Sequence, residues 1–506
     1  MPDTLIEHIF ENLSHNDQLN VSLVCHRFNE IFGENLKNFK LVLDLKNICF
    51  GDVPRLSRQY RQIKVKMLII IDDQIHSESF PEENVLNMFN AIGSEVRKLK
   101  LVQCILNDHF LVQVLKTMPM LQTLIFQKTE IDRFESIDYN SIELPAFLNL
   151  KEICIGARSW DDILRVLGRA EKIEKFSFLY QTRENKLNDS AIDIDDETEV
   201  LEYNYTDSQY EIVKTFLSRQ RNLKNLEIRD GNFFNTPFVD FTFQLECIEL
   251  FISHLIPSQA DVMSKFVRHH RHLKEVLLNC MLYSHVTSYF ECLDHFMHLE
   301  SIKKLQIVFY NDSGIHNYFR DCQIVNSNIE DLYFALEPLN DVLKFNENIV
   351  CIFPNIMRLQ MVFFGNWLLS SKYNTSVLIP LNQLNRLKSI VLMPIESRFL
   401  RPLKIPSLTD IENFEITRSD SVDWKIFIIN HPGIEKIIVR MSMKRSDKAG
   451  LIFVENVMKK LQKIRSITCC IMNKRLSKQA IMMLTKLAKT RRTLKKLSMC
   501  SNKIYI

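Results

Sequence analysis

Along this chain apolar residues recur at relative positions 1, 4 and 6 of a short motif whose positions 2 and 3 are mostly polar. Seventeen such frames begin at Val65, Val96, Leu121, Leu150, Ile173, Val200, Leu223, Leu245, Leu273, Ile302, Ile329, Ile356, Leu387, Ile411, Ile434, Ile464 and Leu494. Position 2 is charged in most of them, as in Leu150-Lys151-Glu152-Ile153 and Leu273-Lys274-Glu275-Val276. An apolar, two polar, apolar, any, apolar string predicts a short strand with one buried face, entered by a bend. A single triplet would arise often by chance in an apolar-rich chain, so the regular spacing carries the weight. Between the frames run amphipathic stretches with helical spacing of apolar residues, among them Asp161 to Leu167, Tyr210 to Leu217 and Ser477 to Ala488.

The frame starts cover 429 residues in sixteen steps, a mean period of about 27. One strand and one helix per unit of that length stack into a curved parallel sheet with helices outside. From about residue 60 onward the chain resembles a leucine-rich-repeat horseshoe, an α/β solenoid. The Asn or Cys that the family carries at position 9 survives only as Cys104 and Asn502. A doubly wound α/β domain would also alternate strands and helices. Seventeen strands are more than such a sheet usually holds, and only 10 glycines in 506 residues leave little for the ligand loop it normally carries.

The first residues follow a different rhythm. Leu5, Ile6, Ile9, Phe10 and Leu13 share one face of a predicted helix opened by Pro2, whose missing N–H costs nothing at that position. Ser14 and Asp17 have the spacing of a capped break, and Leu19, Leu23, Val24, Phe28 and Ile31 stripe a second helix. In order and spacing this segment resembles an F-box. It differs in having Met1 where the family usually has Leu and Phe28 where it has Trp. The alternative is a helical cap that merely shields the first repeat.

The resemblance implies that Pro2, Leu5, Ile6, Ile9, Phe10, Leu13, Leu19, Leu23 and Val24 dock on a Skp-type adaptor, and through it on a cullin and RING ubiquitin ligase. A helical cluster this small does not bury its apolar face alone, which suits a docking role. The expected division is an F-box over 1–45, a linker or capping segment over 46–64, and a solenoid of about 17 repeats over 65–506.

Composition fits a globular chain able to bury a core along its length, with 46% hydrophobic and 25% charged residues. No apolar run approaches the eighteen or so residues of a membrane span, and the acidic Met1-Pro2-Asp3 start lacks the pattern of a secretory leader. Twelve cysteines contain no CxxC pair, so reduced thiols and a cytoplasmic or nuclear setting are expected.

No glycine-rich phosphate loop, GxSxG elbow or HExxH motif is written in the sequence. The chain is therefore expected to be non-catalytic, with no cofactor and no metal. The string Arg268-His269-His270-Arg271-His272 reads as a solvated helix end rather than a metal site. The acidic stretch Asp189 to Glu199 reads as a solvated loop, since it lacks the glycine and spacing of a calcium loop. From Ile434 to the end, 19 Lys and Arg face three acids, a net +16 over 73 residues on a chain whose total is only +3. Such a region attracts acidic partners, phosphates or nucleic acid. No interleaved aromatic platform supports sequence-specific RNA reading.

Positions 3, 5 and 7 of each frame belong to the concave side. Phe251, Leu277, Val308, Tyr333, Val362, Val391 and Met393 are expected to gather there as an exposed apolar row, the candidate surface for a protein substrate. The alternative is a closed interior in which these residues are covered. Two functions remain open: a substrate receptor of a ubiquitin ligase, or an interaction scaffold with no ligase link.

Overall fold

The computed structural model describes residues 39–44, 65–71, 82–132, 147–157, 160–179, 207–229, 231–234, 241–252, 257–280, 286–309, 312–336, 342–363, 379–394, 408, 410–417, 430–441, 454–457, 459–471, 482, 485–486, 489, 493–499 and 502–505. The nine expected adaptor-binding residues from Pro2 to Val24, the acidic stretch 189–199 and most of the predicted helix 477–488 lie outside the described residues. The chain divides into two units, Met1–Leu245 and Glu246–Ile506.

In the first unit the described strands are β1 (Phe39–Asp44), β2 (Val65–Ile71), β3 (Lys98–Val102), β4 (Ile105–Asn107), β5 (Thr123–Asp132), β6 (Glu152–Ala157), β7 (Lys175–Phe178) and β8 (Asn225–Ile228). They form a parallel sheet in the order β1-β2-β3-β5-β6-β7-β8, with β4 alongside the far end of β5. Helices α1 (Glu82–Ile92), α2 (Asp108–Lys116), α3 (Trp160–Val166) and α4 (Asp207–Ser218) connect them. Acidic Asp161 and Asp162 open α3 and Arg165 stands in its last turn, the charge order that complements a helix dipole.

The second unit carries β9 (Cys247–Ile252), β10 (Glu275–Cys280), β11 (Lys304–Phe309), β12 (Asp331–Leu336), β13 (Arg358–Phe363), β14 (Ser389–Pro394), β15 (Asn413–Thr417), β16 (Lys436–Met441), β17 (Ser466–Ile471) and β18 (Lys496–Met499), each parallel to the next. Its last strand, β19 (Asn502–Tyr505), turns back antiparallel on β18. Helices α5 (Pro257–His269), α6 (Val286–Met297), α7 (Asp312–Asp321) and α8 (Val342–Ile352) follow β9 to β12 in turn. Among the described residues no helix is long and apolar enough to cross a membrane.

Positions 4 and 6 of each strand face these helices and are buried, as Leu305, Ile307, Leu332, Phe334, Leu359 and Met361 show. Phe319 of α7 meets Phe334, Phe345 and Phe353 at centroid distances of 5.6, 5.7 and 6.2 Å, all near edge-to-face. The abundant phenylalanines thus knit strand to helix between neighbouring repeats. Each unit has the α/β architecture of a leucine-rich-repeat solenoid.

Two backbone devices set the register. At position 2, one carbonyl accepts from two consecutive N–H groups of the next repeat. Lys274 O, for example, takes Lys303 N at 2.8 Å and Lys304 N at 3.0 Å. The same fork recurs from Arg97 to Glu174 in the first unit and from Glu246 to Arg465 in the second. This is the bend that the polar pair at positions 2 and 3 anticipates.

The second device is a polar cap at position 9. Buried Cys104 points its thiol at Ile70 O, 3.7 Å away, and buried Thr129 donates to Leu101 O at 3.2 Å. In both repeats the preceding residue, Gln103 or Lys128, has a positive φ of 56° or 53°, which swings the cap inward.

Strand β1 pairs with β2, Leu41 against Leu68 and Leu43 against Ile70. The frame at Val200 lies outside the described residues; β7 pairs directly with β8, Phe176 against Leu226. One expectation is corrected. His270 is not a solvated helix end: its side chain is fully buried, 4.4 Å from the Phe266 ring centroid. Burial first, then neighbouring His269, pushes its pKa down to about 3.

His270 belongs to a set of buried polar residues three places before the strand motif, with Gln220, Asn326 and His431. Gln220 donates to Ala170 O at 2.7 Å while its carbonyl accepts from Ile173 N at 3.3 Å. Asn326 donates to Met297 O at 2.9 Å. These amides tie one repeat to the last. At the same motif place Gly93 has no room for a side chain, since a Cβ there would lie 2.6 Å from Thr117 O.

Candidate binding face

Opposite the helices, the second unit presents three parallel ladders of side chains, one residue per repeat. Strand spacing of about 4.8 Å makes the rungs of each ladder direct neighbours. Position 3 reads Glu275, Lys304, Asp331, Arg358, Ser389, Asn413, Lys436, Ser466, Lys496 in unbroken register. Its first four members alternate in sign. Lys304 pairs with Glu275 at 3.0 Å, and Arg358 pairs with Asp331. Position 2, at the strand entry, is likewise paired between repeats, as in Lys274 with Glu246 at 2.6 Å, Lys388 with Glu412 at 2.9 Å and Arg465 with Glu435 at 3.3 Å. Each such exposed pair adds at most about 1 kcal/mol, but together they leave this stretch of surface near neutral.

Position 5 carries Leu277, Gln306, Tyr333, Gln360 and Val391 side by side. All five are half-buried. The register therefore brings together three of the expected substrate-binding residues, Leu277, Tyr333 and Val391, with two glutamines between them. Glutamine supplies donors and acceptors that pair with a passing backbone. The two glutamines carry no apolar signal in the sequence, but the same count of positions places them in this ladder.

Position 7 behaves differently. Phe251, Asn279, Val308, Ala335, Val362 and Met393 align there. Val308 is 9% exposed, Val362 6% and Ala335 0%, and the three form one cluster with Tyr333 packed against it. The expectation that Val308 and Val362 stand open to solvent is thus corrected. Stacked one repeat apart around a small alanine, they bury one another, and Tyr333 packs against them. Phe251 is half-buried at the start of this ladder.

Burial raises the Cys154 thiol, at position 5 of β6, to about 11, with Glu227 adding to the shift, and on the helical side raises Cys292 to about 12. Cys292 lies 3.7 Å from Ser264 Oγ. Tyr318 is pushed far up by burial and by the hydrogen bond it donates to Asp294 at 2.6 Å. Such thiols are poor nucleophiles at neutral pH. Cys104, Cys154, Cys247, Cys292, Cys322 and Cys351 form no disulfide, and of these six only Cys351 is exposed.

The sequence in front of this sheet matches a known domain. Residues 1–40 match the F-box domain. The matched residues run up to Phe39 and Lys40, the first two residues of β1. No curated protein matches the chain. Among solved structures it is similar to the leucine-rich repeat-containing protein LegL7 from Legionella pneumophila, at 10% identity over 89% of this chain and 98% of that one, with a TM-score of 0.28. The strand register described above, and not that likeness, carries the repeat architecture.

Proposed function

We propose that the chain is a substrate-receiving subunit of a ubiquitin ligase of the Skp, cullin and F-box type, itself non-catalytic. The observation that carries this reading is the F-box match over residues 1–40 placed directly before a repeat sheet. In this reading Pro2, Leu5, Ile6, Ile9, Phe10, Leu13, Leu19, Leu23 and Val24 hold the adaptor, and the cullin is reached through it. The position-5 ladder of Leu277, Tyr333 and Val391 receives a protein substrate. Val308 and Val362 fix the pose of Tyr333, and Phe251 and Met393 flank them along position 7. Such a subunit works in the cytoplasm or nucleus, where its thiols stay reduced.

Co-expression with a Skp-type adaptor tests the reading. The wild-type chain is expected to co-purify with the adaptor, and Ile9→Ala with Phe10→Ala to abolish capture by removing two central anchors. A folded double variant that still captures the adaptor at the wild-type level would leave the chain as an interaction scaffold without a ligase link.

A further inference from the structure

The position-3 ladder changes character along the second unit. Across β10 to β13 its charges alternate and are paired, whereas from β14 onward it reads Ser389, Asn413, Lys436, Ser466, Lys496. Lys436 and Lys496 are both exposed, and among the described residues neither has a carboxylate within ion-pair distance. By contrast Lys274, Lys303, Lys304, Arg358, Lys388 and Arg465 are each matched by an acid of the adjacent repeat. Positions 3, 5 and 7 of β14 to β18 include one acid, Glu415, against Lys436, Arg440 and Lys496. Hydroxyl-bearing Ser466, Thr468 and Ser498 fill the rungs beside the two lysines. The face is therefore split into a neutral, apolar-and-amide stretch over β10 to β14 and an uncompensated basic strip over β16 to β18.

We infer that this face takes a bipartite protein segment, an apolar anchor seated at Tyr333 followed by an acidic run over Lys436 and Lys496. This rests on the reading of the face as the substrate surface and adds the chemistry of what it selects. From β12 to β16 is four strand spacings and to β18 six, about 19 and 29 Å, so an extended chain places its acids roughly six to nine residues from its anchor. Gln306 and Gln360, flanking Tyr333, offer amide partners to the backbone of that chain. The apolar end supplies the desolvated contact, and the basic strip supplies steering and orientation, because unpaired surface charge acts mainly through long-range attraction.

The test uses the full chain and fluorescein-labelled peptides with a Phe-Leu-Val anchor and a short run of glutamates, separated by a Gly/Ser spacer of about seven residues or by none. Fluorescence anisotropy at low salt is expected to show tighter binding of the spaced peptide. Lys436→Glu with Lys496→Glu is expected to weaken it by about tenfold or more, and Lys436→Arg with Lys496→Arg to restore it. Both lysines are exposed, and a thermal melt checks that the variants fold. Equal affinity for spaced and unspaced peptides would overturn the proposal. So would charge reversal without effect while Tyr333→Ser weakens binding, an outcome that keeps the face and removes its acidic specificity. If neither change matters, the substrate face is elsewhere and both readings fall. If single-stranded polythymidine displaces the peptide and its own binding falls on charge reversal, the strip is a nucleic-acid surface and the proposal is also overturned.

Discussion

The hydroxyl of Thr129 donates to the carbonyl of Leu101 one repeat earlier, at 3.2 Å, with Thr129 fully buried. Cys104 does the same job one repeat before, on Ile70. A buried carbonyl left without a partner costs about 1–3 kcal/mol. Thr129→Val keeps the shape and removes the donor, so it is expected to destabilise the first unit by about that amount, with Thr129→Ser much milder. Hydrogen exchange of the β3 to β6 amides reads the local effect, and equal protection in Val and wild-type chains would show the cap to be idle.

The ladders predict opposite outcomes at adjacent residues. Leu332, 2% exposed, lies on the helical face, and half-buried Tyr333 lies on the other. Leu332→Glu is expected to unfold its repeats by burying an unpaired charge, and Val362→Glu to do likewise because Val362 is enclosed by its neighbours. Tyr333→Glu is expected to fold and to lose substrate capture. Circular dichroism separates the cases, and a folded Leu332→Glu beside an unfolded Tyr333→Glu would mean the register is shifted by one.

His270 makes stability depend on acidity. Its pKa falls from 6.5 to about 3 on folding, so the unfolded chain takes up a proton that the folded chain refuses. The stabilisation is complete above pH 6.5 and is lost as pH falls from there towards 3. Between pH 7 and pH 5 this one group is expected to remove about 2 kcal/mol. His270→Asn, which does not titrate, is expected to flatten that part of the curve, measured by urea unfolding across the range. Parallel curves for the two chains would assign the acid sensitivity to other groups.

Much of this was readable in advance because the motif is enforced by burial. All sixteen frames that fall on described residues are strands, since apolar residues at positions 1, 4 and 6 leave a strand no other way to lie against a helix. Strand β1 escaped notice because its position 1 is Asn38, so the pattern begins on a polar residue. Thr129 is hidden as a cap in the sequence because it is neither the Asn nor the Cys typical of position 9, although its hydroxyl donates equally well. The burial of Val308 and Val362 depends on Ala335 lying between them one strand away on each side, a relation between distant residues that no local window contains.

The forked carbonyl at position 2 has a corollary for how such a chain changes over time. Fifty residues separate Lys175 from its rung-mate Asn225, and twenty-three separate Asn413 from Lys436, yet both joins are made by the same two hydrogen bonds. The rungs are thus indifferent to the length of rope between them. Connectors are free to grow, shrink or acquire cargo without moving the neighbouring rungs.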